Sequence, residues 1–401
     1  MWFAGIDWAD RHHDVVVIDE AGQKVAQMRV EHTSEGLTKL IHFLQAIGPL
    51  DHIACIIETT HGLLITTLLE AGVILYPVNP KTIDRKRAAS GAKTDLIDAY
   101  LLAKHGRSEL ADLRRLDPDS PTIAELKALT RDQDALIQMQ TRLVNQLTAC
   151  LKAYYPAALN LFSKLQQKVS LVFLQTYPTP QHAVAASCEQ LIETLTQAGH
   201  PRAKQVAPKL YQTLHQPQLV ASDVTVRTKS RLMLALVAQL LPLLEQIGAY
   251  DKEISALFLT HEDNEVFSSL PGAGKRLAPR LLAEWGDDRG RYADTSSIQA
   301  LAGTSPVPFE SGNYASVHQR FACIKPLRNA LQQFAWLSTQ QEEWAKNYYD
   351  RKRKQGKSHS MAVRALANIW VRIVFAMWHK NETYQREIFV TAQEHHAPNA
   401  A

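Results

Sequence analysis

Strand-forming patterns are confined to the first quarter of this chain, and two of them close on a carboxylate. The apolar run Trp2-Phe3-Ala4-Gly5-Ile6 ends at Asp7, and Ile53-Ala54-Cys55-Ile56-Ile57 ends at Glu58. Dehydrating an unpaired charge costs several kcal/mol, so a carboxylate closing a buried strand serves no stabilising purpose. Asp95 and Asp98 follow at the start of a predicted helix and share one of its faces. Two strand ends and this pair are able to converge on hard divalent cations, which take oxygen ligands. Mg²⁺ suits an oxygen-only set, and two ions about 3.5–4 Å apart stabilise the attacking and leaving oxygens of phosphoryl transfer. The blander reading makes Asp7 and Glu58 edge or capping residues and gives Asp95 and Asp98 only a helix N-terminus to favour, with Thr94 as its cap. Asp10 and Asp14 read as exposed loop residues, and the His12-His13 pair as surface.

Predicted strands cover 2–8, 14–19, 24–31, 52–58 and 73–78, with Ala21-Gly22 turning the second into the third. Predicted helices cover 34–47, with Ser34 as N-cap, and 61–71, ended by Gly72. Three meandering strands followed by β–α–β units is the order of a ribonuclease-H-like mixed sheet. Actin-like sugar kinases open in the same order. From about 120 onward strand patterns disappear. Residues 123–154 carry a heptad, with Leu129, Leu136, Leu143 and Cys150 at one seam position. Leu126, Gln133, Gln140, Leu147 and Tyr154 fill the other. A second heptad runs through Met233, Leu240, Ile247 and Ile254, where Pro242 is expected to kink or interrupt the helix. The expected fold is therefore α/β plus all-α. Its parts are an N-terminal domain over 1–110, a helical coiled-coil region over 111–262 with an insertion near 156–222, and a mostly helical domain over 263–401.

At 401 residues the chain exceeds one compact core, and 46% hydrophobic content excludes general disorder. Cys55, Cys150, Cys188 and Cys323 form no C-x-x-C pair and give no zinc signature. The N-terminal run lacks a basic region, and the apolar stretch from Leu232 to Leu244 reads as too short to span a bilayer. A soluble cytoplasmic protein is expected.

With a net charge of only +4, partner arguments rest on where the charges sit. Arg85, Lys86, Arg87 and Lys93 precede the acidic pair, and Arg351, Lys352, Arg353 and Lys354 form a second basic tract, followed by Lys357. Both favour a polyanion. Leu270-Pro271-Gly272-Ala273-Gly274-Lys275 fails as a P-loop, because Ser269 stands where the first Gly belongs and Arg276 where Ser or Thr belongs. It reads as a helix-hairpin-helix-type turn, in which Gly272 and Gly274 let backbone N–H groups approach a phosphate beside Lys275 and Arg276. An ordinary turn between helices is the alternative. On spacing alone Ser311, before Gly312 in a loop-rich stretch over 303–318, is a turn residue. Helices are predicted over 325–340 and 359–379.

Taken in order, Gly5-Ile6-Asp7-Trp8, Ile57-Glu58-Thr59, Val78-Asn79-Pro80 and Lys93-Thr94-Asp95 through Asp98-Ala99 resemble the signature of the DEDD-type insertion-sequence transposases. These are described as bridge-RNA-guided serine recombinases, and pilin-gene invertases share the pattern. Leu270-Pro271-Gly272-Ala273-Gly274, Ala300-Leu301-Ala302-Gly303 and Glu310-Ser311-Gly312 are similar to that family's C-terminal domain. The resemblance covers about 1–110 and 263–380, and the chain departs from it in the length of its insertion. It implies that Asp7, Glu58, Asp95 and Asp98 hold Mg²⁺ in a RuvC-like domain. It also implies that Ser311 attacks a DNA phosphodiester to form a phosphoserine link. Further implications are double-stranded DNA at element ends and target, a structured noncoding guide RNA, and a homodimer or homotetramer whose subunits complete one site together. The competing functions are an invertase, a hydrolytic RuvC-like junction nuclease, a non-enzymatic nucleic-acid scaffold and an actin-like kinase.

Overall fold

The computed structural model describes residues 1–80, 94–312 and 314–388. Two compact units divide at Asp119 and Ser120. In the first, strands β1 (Trp2–Trp8), β2 (His12–Ile18), β3 (Lys24–Glu31), β4 (Ile53–Ile57) and β5 (Ile74–Pro77) form one sheet in the order β3-β2-β1-β4-β5. The first three pair antiparallel, and β1–β4 and β4–β5 are parallel. Helices α1 (Ser34–Ile47) and α2 (Leu63–Glu70) share one core with Ala4, Ile6, Val15, Val17, Cys55 and Ile57. Helix α3 (Asp95–Glu109) packs on the other face against Phe3, Val16, Ile18, Ala54 and Ile56. Because side chains alternate along a strand, β1, β2 and β4 supply both cores from successive residues.

The fit of α3 depends on missing side chains. A Cβ on Gly5 would fall on the Ala99 carbonyl oxygen and lie 2.5 Å from the Ala103 amide nitrogen. A Cβ on Gly106 would strike the Ile56 side chain. Helix backbone therefore lies almost directly on strand backbone at Gly5. Helix α1 is capped by Thr33, not Ser34: Thr33 is still extended, and its hydroxyl accepts from the Gly36 amide at 3.1 Å.

In the second unit, α4 (Pro121–Tyr154) and α9 (Asp223–Leu259) pack side by side. Ile123 and Leu126 share a core with Ile254 and Phe258, while Leu147, Cys150 and Tyr154 meet Met233, Leu236 and Leu240, so the two run antiparallel. Pro242 lies inside α9, which continues through it. Gln133, buried at the seam, donates to Asp251 at 2.8 Å. The stretch after α4 folds into α5 (Lys168–Thr176), α6 (Pro180–Ala185), α7 (Cys188–Gln197) and α8 (Ala203–Leu214), which share a core with the end of the pair. By length and composition α9 is long and apolar enough to cross a membrane, although the run within it from Leu232 to Leu244 is short. Helix α15 (His359–Lys380) passes the same test. Each lays a buried face along the cores of this unit.

The chain continues through α10 (Asn264–Ser268), α11 (Gly274–Trp285), α12 (Thr295–Leu301), α13 (Lys325–Ser338) and α14 (Glu343–Lys354) to α15, around the buried rings of Trp285, Trp370 and Trp378. Between α12 and α13 the stretch expected to be loop-rich forms an antiparallel ribbon, β6 (Val307–Ser311) and β7 (Tyr314–His318). Its strand pattern is masked in sequence because most of its residues face solvent, so no apolar alternation marks it. Replacing Gly5 with Ala is expected to cost about 1–3 kcal/mol or more through overpacking, read as a lower urea midpoint. The same change at exposed Gly62, where a Cβ meets nothing, probes only its positive φ.

Candidate active site

Strands β1 and β4 run parallel with Ile6 opposite Ile57, so Asp7 and Glu58 come next, side by side, at the carboxyl ends of these two central strands. Strand parity sends both toward α3: Phe3, Gly5 and Asp7 share a face, as do Ala54, Ile56 and Glu58. Thr94 caps α3 by accepting from the Ile97 amide at 3.3 Å, which puts Asp95 and Asp98 in its first turn. Seated on Gly5, that turn faces the same strand ends.

The outcome is electrostatic crowding. The carboxyl of Asp7 is pushed up to about 6, chiefly by burial and then by the charges of Asp98, Asp95, Glu58 and Asp14. The other three predicted carboxylates therefore all act on Asp7, together with Asp14, which was expected in an exposed loop. Asp14 sits instead on β2 directly opposite Asp7 and is buried. Asp14 is buried because β2 begins earlier than predicted, at His12, and both its faces are covered. Arg29, opposite Asp14 on β3, donates to it through Nε at 3.0 Å and Nη2 at 2.7 Å, and the same Nη2 lies 3.4 Å from Asp95. His12 Nε2 lies 3.6 Å from Asp95.

His13, expected at the surface, is fully buried. The Ala9 amide donates to its Nδ1 at 3.4 Å, and its Nε2 meets His32 Nδ1 at 2.9 Å. A neutral ring with its proton on Nε2 satisfies both contacts. Burial, then His32 and His12, hold its pKa down to about 4. His13 thereby ties down the turn that follows Asp7.

Among the described residues one group of side chains has ligand atoms close enough together to share a divalent ion. Ligand atoms of His12, Asp14 and Asp95 lie within 4.8 Å of one another. Asp14, however, already spends both oxygens on Arg29. Asp7, Glu58 and Asp98 do not join a group that tight, although with Asp95 they would offer oxygen donors alone, the kind a hard divalent ion takes.

The remaining predicted residues belong to the second unit or lie outside the described residues, as do Arg85, Lys86, Arg87 and Lys93. Ser311 closes β6 and pairs with Tyr314 across the turn that begins at Gly312 (φ 57°). It is exposed, and among the described residues its hydroxyl has no hydrogen-bond partner. The Gly272–Gly274 turn joins α10 to α11, and Gly272, at φ 83°, packs on the Leu337 carbonyl. Lys275 is exposed. Arg276 is committed to Asp251, donating from Nε at 2.6 Å and Nη2 at 2.5 Å, so its main partner is a carboxylate of α9. Arg351, Lys352, Arg353 and Lys354 form the last turn of α14, with Arg351 and Lys352 over the Tyr348 ring at 5.1 and 5.5 Å.

A mixed sheet with carboxylates at the ends of two neighbouring parallel strands fits the nuclease-like domain of a DNA-cleaving enzyme. Residues 4–156 match a family model described as a transposase, DEDD type, and residues 264–350 match the model of the IS116/IS110/IS902 transposases. The chain is 32% identical over 382 residues to a mini-circle putative transposase for IS117 of Streptomyces coelicolor, covering 91% of each. It is 28% identical to an IS116 protein of Streptomyces clavuligerus, covering 94% of each, and 22% identical to the IS1111A transposase of Coxiella burnetii, covering 95% of this chain and 90% of that one. The chain belongs to the IS116/IS110/IS902 family of transposases.

A raised carboxyl favours folding in its protonated form. Asp7 therefore contributes most to metal-free stability below its ordinary pKa of 3.8, and that contribution is lost as pH rises to about 6. Asp7→Asn is expected to flatten this slope and to raise metal-free stability near neutral pH by about 1 kcal/mol, allowing for the group's partial contact with water. Mg²⁺ should raise the thermal midpoint of the unsubstituted chain more at about pH 8 than at about pH 5, because protons compete for Asp7. Thermal melts across that range, with and without metal, check both.

Proposed function

We propose that this transposase cleaves and rejoins DNA strands with Mg²⁺ held by Asp7, Glu58, Asp95 and Asp98, two ions to a site. What carries the reading is the raised carboxyl of Asp7, on which burial and the charges of Asp98, Asp95, Glu58 and Asp14 all act. When bound, the ions polarise a phosphodiester and offset the charge that builds on its oxygens. Ser311 Oγ is the nucleophile: it bonds to phosphorus, its proton passes to solvent, and the departing sugar oxygen leaves protonated, so the ester is conserved as phosphoserine. A hydroxyl at an exposed ribbon tip suits that task better than a structural one.

The three-part division at about 110 and 262, coiled-coil action by α4 and α9, a noncoding guide RNA, a homodimer or homotetramer and phosphate contacts from Lys275 and Arg351–Lys354 complete the proposal. The basic residues between 85 and 93 belong to the same reading. A hydrolytic nuclease is the second reading, favoured by the absence among the described residues of a base bonded to Ser311.

Incubation with Mg²⁺, guide RNA and labelled element-end DNA, followed by denaturing electrophoresis, separates the two. A covalent protein–DNA adduct that Ser311→Ala abolishes is expected. Free cleaved ends that persist in Ser311→Ala would establish hydrolysis instead. Asp7→Asn and Asp98→Asn should each lower strand cleavage by at least about 100-fold, as loss of an electrostatic stabiliser does.

A further inference from the structure

Carboxylates answer the guanidinium groups that frame the second unit. Arg131 is held by Glu284, Arg280 by Asp134 and Arg276 by Asp251, each through two hydrogen bonds, and Arg289 by Asp263. The cations behind the Ser311 ribbon are treated differently. Between β7, the end of α14 and the first turns of α15 lies a groove of about 1230 Å³, lined by Phe321, Tyr348, Lys352, Lys357, Arg364 and Arg372 among others, with no Asp or Glu in its wall.

Arg364 donates from Nη2 to Gln319 at 2.9 Å, but its Nε is buried without a partner, as is Nε of neighbouring Arg320. Burial and the like charge of Arg328 both weigh against the protonated form of Arg364. Among the described residues Arg320, Arg328, Lys357, Arg364 and Arg372 form no salt bridge. Half-buried cations with orphaned donors carry a desolvation cost that an external anion would offset. The groove also offers ring surface: Phe321 is 76% exposed at its mouth. Sites that combine cations with exposed aromatic rings suit a single strand, whose backbone meets the charges while its bases stack. A base-paired duplex keeps its base faces covered and has no use for Phe321.

We propose that this groove binds a single strand of DNA, with phosphates at Lys357, Arg364 and Arg372 and a base stacked on Phe321. The choice of DNA rests on the reading of the chain as a strand-cleaving enzyme, whereas the binding itself needs neither metal nor cleavage. Fluorescence anisotropy of labelled oligothymidine with the full-length chain in EDTA tests it. The Lys357→Gln/Arg364→Gln pair is expected to weaken binding at least about tenfold and to reduce the slope of log affinity against log salt by roughly 1.4, from about 0.7 per lost phosphate contact. Phe321→Ala should weaken binding about tenfold with the slope unchanged. Removing Arg364 takes away an unpaired charge, so the thermal midpoint should hold; if the pair misfolds, exposed Lys357→Gln alone should still lower the slope by about 0.7.

Unchanged affinity in the charge variants and in Phe321→Ala would overturn the proposal, as would an equal loss for blunt duplex of matching length. Tighter binding of oligouridine, weakened by the same variants, would overturn the choice of DNA. Because EDTA silences the acidic centre, cleavage that survives Asp7→Asn would sink the metal reading and leave this result untouched.

Discussion

The seat of α3 on Gly5 is the contact on which the first unit depends. An α-carbon without a side chain lets the helix backbone settle where a methyl group would collide with Ala99, and small residues on the helix, Ala99 and Ala103, keep the approach close. That approach brings the first turn of α3, with Asp95 and Asp98, beside the ends of β1 and β4. Repulsion among the carboxylates opposes it, and the cost falls on Asp7. Burial of Leu102, Phe3 and Ile56 behind them, worth about 1.5–3 kcal/mol for each large side chain, is the opposing force. The acidic groups are thus brought together by the apolar contact beneath them.

Arg29 divides the carboxylates into two kinds. Asp14 is almost wholly buried and takes two hydrogen bonds from one guanidinium, so removing Arg29 would leave a buried carboxylate without its partner. Asp14 is therefore a fixed part of the frame. Asp95 receives only the longer reach of the same guanidinium and stays exposed, free to change partner when a cation arrives. One arginine between them fixes the first carboxylate and lets the second remain responsive, which is how a site can be both rigid and available.

Much of this was legible in the sequence for a physical reason: apolar runs ending in Asp7 and Glu58 contradict the rule that buried strands end neutrally. All five strands of the sheet were placed within a residue or two. The helix starting at Thr94 was legible through its cap. Asp14, Arg29 and His13 were not, because their meaning lies in the pairing of β2 with β1 and β3, and no local pattern announces a partner on another strand. One signal was available: once β1 and β2 are read as a hairpin, parity places Asp14 on the face of Asp7. The β6–β7 ribbon escaped for the opposite reason. Its residues answer to solvent on nearly every side, so no alternation betrays a strand.

The second unit applies the same economy of charge on a larger scale. Along α4, α9 and α11, arginines and carboxylates from segments distant in sequence are matched pair by pair, and Gln133 joins the Asp251–Arg276 pair at the seam. Matching at separated points fixes the register of three helices, since a shift by one turn would strand several charges together. Arg276 looked like a phosphate ligand in sequence because the sequence shows the cation and hides its partner. The cations behind the ribbon invert that lesson. Their neighbours in space are other cations, so the same accounting that assigns Arg276 to the frame assigns Arg364 to a partner outside the chain.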